Sequence, residues 1–151
     1  MLSAIDLLKA TRANILRLTD RYDLDQLNKI PEGFNNNLIW NFGHVVVTQQ
    51  LLCYGLSKLP TQVPAELIDK YRKGSKPETF VDQAELDLFK NFAEQTIIQL
   101  ETDLAENVFD TYKTYTTSYG ITLEGIQEAV QFNNVHEGMH LGTMIALTKL
   151  I

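Results

Sequence analysis

The stretch Asn133-Asn134-Val135-His136-Glu137-Gly138-Met139-His140 decides the reading of this chain. An α-helix turns about 100° per residue, so His136 and His140 stand one turn apart on one face. Ile126, Ala129, Val130 and Asn133 extend that face on one side, and Met144 and Leu147 on the other. The two imidazoles therefore point into a largely apolar stripe. Histidines at this spacing can bring two ring nitrogens to one point beside the helix, which is what a transition metal requires.

The bulk properties set the frame. The 151 residues suffice for one domain, 1–151, with a sizeable core, and 44% hydrophobic with 21% charged residues is ordinary for a soluble protein. A net charge of −6 argues against nucleic acid or an anionic membrane as partner. Cys53 is the only cysteine, so no disulfide framework exists and a reducing, cytoplasmic setting is expected. The start, Met1-Leu2-Ser3-Ala4-Ile5-Asp6, has neither the basic segment nor the apolar run of a leader, and no run approaches the roughly 20 residues of a membrane span.

Hydrophobic spacing yields four main helices. Ser3 caps the first, with Asp6 at its third position, and Ile5, Leu8, Ile15, Leu16 and Leu18 carry it to about Tyr22. Pro31, Gly33 and three asparagines mark a loop, with a helical turn at Leu24–Leu27. The second helix starts at Asn36 or Asn37 and runs through Trp40, His44, Val47 and Leu51 to Gly55. Ala65 to Tyr71 reads as a short helix. Asp82 followed by Glu85 resembles a capping box opening the third, whose stripe ends near Leu104. From Asn107 to Gly120, tyrosines alternating with threonines suit an extended segment. Thr122 is then expected to cap the last helix, which reaches Lys149. The fold class is all-α: a four-helix bundle with a short extended segment before its last helix. Its long connections mean it need not alternate up and down.

His44 is the only other histidine, and its neighbours place it in the inward stripe of the second helix. Three imidazoles on one metal leave a coordination position open, as in catalytic zinc sites. Cys53, nine residues on, points about 180° away and is packing or partly exposed surface. His136-Glu137-Gly138-Met139-His140 also fits the His-Glu-x-x-His pattern of metalloproteases. Only eleven residues follow His140, none of them His, Asp or Glu, so the downstream third ligand of that class is missing. A di-iron bundle fails as well, because only Glu137–His140 supplies its Glu-x-x-His unit.

With the histidines so placed, the chain resembles the DinB-like four-helix metalloproteins, a superfamily that includes the YfiT-like group, associated with hydrolysis, and bacillithiol transferases. The resemblance rests on Ile39-Trp40-Asn41-Phe42-Gly43-His44, on Gly120-Ile121-Thr122-Leu123-Glu124, and on His136 through Gly142. It implies one divalent metal, zinc or nickel, on His44, His136 and His140, in a bundle that often forms homodimers. It also implies a low-molecular-weight thiol as co-substrate and a small electrophile as substrate, or else hydrolysis by a metal-bound water. The chain departs from the family at Leu141-Gly142-Thr143, where members commonly carry Arg-Gly-Gln; the ligands survive that change and the arginine's contact does not.

Glu137 lies about 80° from the bisector of the two histidines. It is the one catalytic candidate beside the metal, although a glutamate at such an edge is ordinarily solvated, and solvation is the expectation here. Asn41 and Asn133 are inward polar residues suited to holding ligating imidazoles or lining the pocket. Tyr112, Tyr115 and Tyr119 are candidates to cover the metal end, with core capping as their plainer role. Trp40, Phe89 and Phe92 read as core packing. A metal-dependent enzyme is the function expected, and a non-catalytic metal-binding or structural dimer the alternative.

Overall fold

A computed structural model describes residues 3–151; Met1 and Leu2, read above as part of a start without a leader, lie outside them. Helix α1 spans Ala4–Thr19. Ser3 opens it with a complete capping box: its Oγ accepts from Asp6 N at 3.0 Å, and its own N–H donates to Asp6 Oδ2 at 3.0 Å. Asp23 and Gln26 repeat the device at α2, Leu24–Asn28. Helix α1 therefore stops short of Tyr22, because Asp23 starts a new helix.

Helix α3, Leu38–Gln50, is capped by Asn37, whose Oδ1 accepts from Trp40 N at 2.9 Å. Twelve of its thirteen residues are buried, which makes it the helix the others wrap. It ends in a π-helical turn, Leu51–Gly55, with Leu56 N donating five residues back to Leu51 O at 3.0 Å. Helix α4, Ala65–Tyr71, crosses beside it, and α5, Gln83–Ala105, follows. Asp82 caps α5, but the reciprocal half of the expected box is absent: Glu85 instead binds the Tyr71 hydroxyl and Lys70 Nζ. A two-stranded antiparallel hairpin, β1 Tyr115–Thr116 and β2 Thr122–Leu123, precedes α6, Ile126–Leu147. Thr122 is thus a strand residue and not a helix cap. Its hydroxyl lies 3.0 Å from that of Thr116 across the hairpin, which Gly120 closes at φ +81°, and Gly125 takes the cap position.

Side-chain pairs fix the helix directions. Lys9 meets Glu101 and Asp20 meets Lys90, so α1 and α5 are antiparallel. Phe42 packs on Phe89 while Tyr54 donates to Asp103, so α3 and α5 run parallel. Ala4 O accepts from Asn134 and Arg12 pairs with Glu137, making α1 and α6 parallel. The bundle is up-down-down-up, and the 56–82 connection carries the chain back along its length.

The interior has three levels. Ile15, Leu18, Leu38, Phe42, Phe89, Met144 and Leu147 belong to one apolar cluster, and Ile5, Leu8, Cys53, Ile97, Leu100 and Val130 to another. Between them, at Arg12 and Glu137, the core is polar. Among the described residues, no helix is long and apolar enough to cross a membrane.

Candidate metal centre

Helix α3 delivers His44 and helix α6 delivers His136 and His140, and one nitrogen from each lies within 4.8 Å of the others. Ring centroids stand 4.7 Å apart for His44 and His140, 5.1 Å for His44 and His136, and 4.5 Å for the α6 pair. The antiparallel run of α3 against α6 creates this meeting, since it sets residue 44 opposite the 136–140 turn.

The hydrogen bonds decide which nitrogens face inward. His44 Nδ1 lies 2.7 Å from Tyr71 O; a carbonyl only accepts, so Nδ1 carries the proton and Nε2 keeps its lone pair. His140 Nδ1 lies 2.8 Å from Asn41 Oδ1. The Asn41 amide nitrogen is already donating to Asn37 O at 2.7 Å and Asn36 Oδ1 at 3.1 Å, which turns its oxygen to the imidazole and again frees Nε2. His136 Nε2 faces His44 Nε2 at 3.2 Å. Two nitrogens bound tetrahedrally at 2.0–2.1 Å would be about 3.3 Å apart, so this separation already suits a shared cation.

Protonation supports the same reading. Burial, reinforced by His140 and His44, pushes His136 down to about 3, and burial with His44 nearby pushes His140 down to about 4. Burial also lowers His44, against the opposing hydrogen bond to Tyr71. All three are neutral at neutral pH, the form in which imidazole binds a metal. The residues present fit a divalent cation.

Support around the ligands includes residues the sequence reading passed over. Trp40 stacks on His44 with centroids 4.7 Å apart and planes 11° off parallel, so it is more than packing. Tyr71 reaches the site through its carbonyl, and its ring fills the space beside Gly43, where a Cβ would come within 2.4 Å of it. Trp40 and Gly43, four residues and one residue before His44, were the available signals.

Glu137 overturns its expectation. It is fully buried, not solvated: Arg12 Nε donates to Oε2 at 3.0 Å, Arg12 Nη2 donates to Oε1, and Asn133 Nδ2 donates to Oε1 at 2.9 Å. Arg12 Nη1 also donates to Ala93 O at 3.1 Å, tying α5 into the same layer. The centre of the buried face of α6 is therefore the Asn133–Glu137 line, and the half-buried histidines occupy its α3-facing edge. Asn133 serves the carboxylate and makes no hydrogen bond to an imidazole. Arg12 was legible as the one charge at a core position in the run Ile5, Leu8, Arg12, Ile15.

His44 and His136, but not His140, open onto a cavity of about 400 Å³ walled by the π-helical turn, the hairpin and α6. His44, Thr48, Tyr115, Phe132 and His136 line it. Tyr112 does not; it packs partly buried against Leu123 and Ala129, and Tyr119 is exposed beside Phe132. Cys53 is fully buried, and burial pushes its thiol up to about 12, so it is inert packing away from the histidines.

Fold and site together define a helical bundle with a three-histidine centre on two antiparallel helices. The family model of the DinB superfamily matches residues 7–144, and the chain belongs to that superfamily. No curated protein matches the sequence significantly.

Proposed function

We propose that this DinB-superfamily protein is a metal-dependent enzyme that transfers a low-molecular-weight thiol to a small electrophile, with hydrolysis as the next reaction in rank. The observation carrying this reading is that His44 and His136 wall a cavity of about 400 Å³, the size of a small-molecule site. A structural metal site would instead be closed by a fourth protein ligand. When bound to His44, His136 and His140, a divalent cation, zinc or nickel, would favour thiolate over thiol, or hydroxide over water, at neutral pH.

The chain's own groups do the rest. Tyr71 O and Asn41 hold two imidazoles in one tautomer, and Trp40 fixes the plane of His44. The Thr48 hydroxyl, 3.3 Å from His44 Nε2, is placed to hydrogen-bond a group at the open side. Leu51, Leu52 and Phe132 keep that side apolar, which strengthens electrostatics within it. Glu137, committed to Arg12, is withdrawn from acid–base work. Buried Cys53 suits a reducing cytoplasm, the location we assign.

The second reading is a metal-binding dimer without turnover. It draws support from an uncharged α6 face, with Val135, Met139 and Ile145 each 43–49% exposed, where a second copy would pack. Sedimentation velocity of wild type and Met139→Lys tests the dimer; it requires a two-fold mass that the variant loses.

The deciding test is elemental analysis of untagged protein beside His44→Ala, His136→Ala and Cys53→Ser. Near-stoichiometric metal, lost in both histidine variants and kept in Cys53→Ser, supports the site and licenses a screen of thiols against electrophiles. No metal after reconstitution removes the chemistry on which the enzyme reading depends.

A further inference from the structure

The cavity beside the histidines has an uneven charge pattern. The chain carries 19 acidic residues against 13 basic ones, yet no carboxylate lines this cavity. Apart from the imidazoles of His44 and His136, its one basic side chain is Lys73, on the segment after α4. Lys73 is exposed and makes no ion pair among the described residues, so its ammonium is not already committed to a carboxylate. Ser118 brings a hydroxyl from the hairpin, where Thr117 donates its own to Ile121 O at 2.9 Å, and Leu51, Leu52, Leu56 and Phe132 form the apolar remainder.

The π-helical turn helps make this space. Leu51, Leu52 and Gly55 of this turn all lie on the cavity wall, continuing the face of α3 that carries His44 and Thr48. A Cβ on Gly55 would meet nothing closer than Leu51 Cδ2 at 3.7 Å, so the glycine leaves open volume.

We infer that the cavity takes a small molecule with an apolar body and a single anionic group, the body against the leucines and Phe132, the anion on Lys73 with the Ser118 hydroxyl. This rests on the proposed enzyme reading for its purpose and names the substrate class of that site. It stands on separate residues, so the two can fail separately.

The probes are 4-phenylbutyrate and its neutral amide, titrated by calorimetry into the full chain, both metal-loaded and chelator-treated. The carboxylate binds roughly five-fold more tightly than the amide, the scale expected of a solvent-accessible ion pair, and the preference weakens with salt. Lys73→Met removes the preference while leaving metal content and amide binding unchanged. Gly55→Leu, which fills the cavity, weakens both probes at least ten-fold. Equal binding of the two probes, no binding of either, or a preference that survives Lys73→Met overturns the inference. A preference that vanishes only on chelation also overturns it, since the anion would then sit on the metal. A Lys73-dependent preference in protein that never retains metal upholds the cavity assignment and sinks the metal reading instead.

Discussion

Replacing Arg12 by methionine strips a fully buried carboxylate of its counter-ion. Arg12 and Glu137 have side chains 2% and 0% exposed, and the guanidinium makes two hydrogen bonds to Glu137 and one to Ala93 O. Methionine fills most of the volume, so the loss is electrostatic: a charge remains in a medium that solvates it poorly, with Asn133 as its only donor. Breaking one half of such a pair costs about 3–5 kcal/mol, a large part of the ~5–15 kcal/mol that holds a domain together. For a chain of this length the melting temperature should fall by roughly 6–20 °C. Arg12→Met/Glu137→Leu removes both charges, leaving Asn133 and the Ala93 carbonyl to lose a partner each. It should recover most of the loss, because a buried ion pair gains little over well-packed apolar groups. Urea unfolding of wild type, both single variants and the double variant yields the coupling energy directly. A single-variant cost below about 1 kcal/mol, or a double variant as poor as the sum of the singles, would refute this account of the pair.

Three further outcomes follow from the geometry. His136 and His140 have folded values of about 3 and 4, below the ordinary 6.5, so the unfolded chain takes up protons first. Metal-free protein should hold a constant melting temperature above pH 7 and lose stability progressively below about 6.5; a flat profile between pH 7.5 and 5 contradicts this. Gly43→Ala would place a methyl against the Tyr71 ring, costing about 1–3 kcal/mol in a urea melt. It should also weaken metal binding, since Tyr71 O orients His44, and a variant as stable and as metal-rich as wild type would show that the ring yields freely. Asn41→Ala removes the acceptor for His140 Nδ1 and should lower metal affinity about 10–100-fold in competition with a chelating dye. An unchanged affinity would mean that His140 needs no such anchor.

The helices were legible because their signals are local. Ser3 with Asp6 and Asn37 ahead of Trp40 each satisfy free amides within one turn, and apolar spacing carries the helices on from them. Asp23 with Gln26 does the same and was passed over, which is why the first helix was run on to Tyr22. The His44, His136 and His140 grouping was reached from helical phase plus the need of α3 and α6 to pack. What stayed hidden depends on partners distant in sequence. Glu137 was taken for a solvated residue because its burial is tolerable only with Arg12, 125 residues away. Once that pair forms, it recentres α6 by one residue and moves the histidines to the edge of the core. Thr122 was misread because a threonine before an apolar run serves equally as a cap or a strand residue, and only the pairing with Thr116 separates the two. Glu85 likewise had a local partner available and took distant ones, Tyr71 and Lys70.

The Arg12–Glu137 pair also bears on how the chain acquires its structure. It joins the first helix to the last, so during synthesis it forms only after α3 and α5 have been made and α6 has arrived. A collapsed intermediate lacking α6 has one histidine of the three and an arginine with no counter-charge, and burying that arginine is prohibitive. The middle of α1 should therefore stay wet and loosely held until α6 docks. Docking in any other rotation would bury Glu137 against apolar side chains, so the same charge that delays closure rejects wrong closures. Folding of the bundle should accordingly end in a single late step that seats Glu137 and brings His136 and His140 up to His44 together. A metal arriving before that step finds one ligand, and afterwards it finds three.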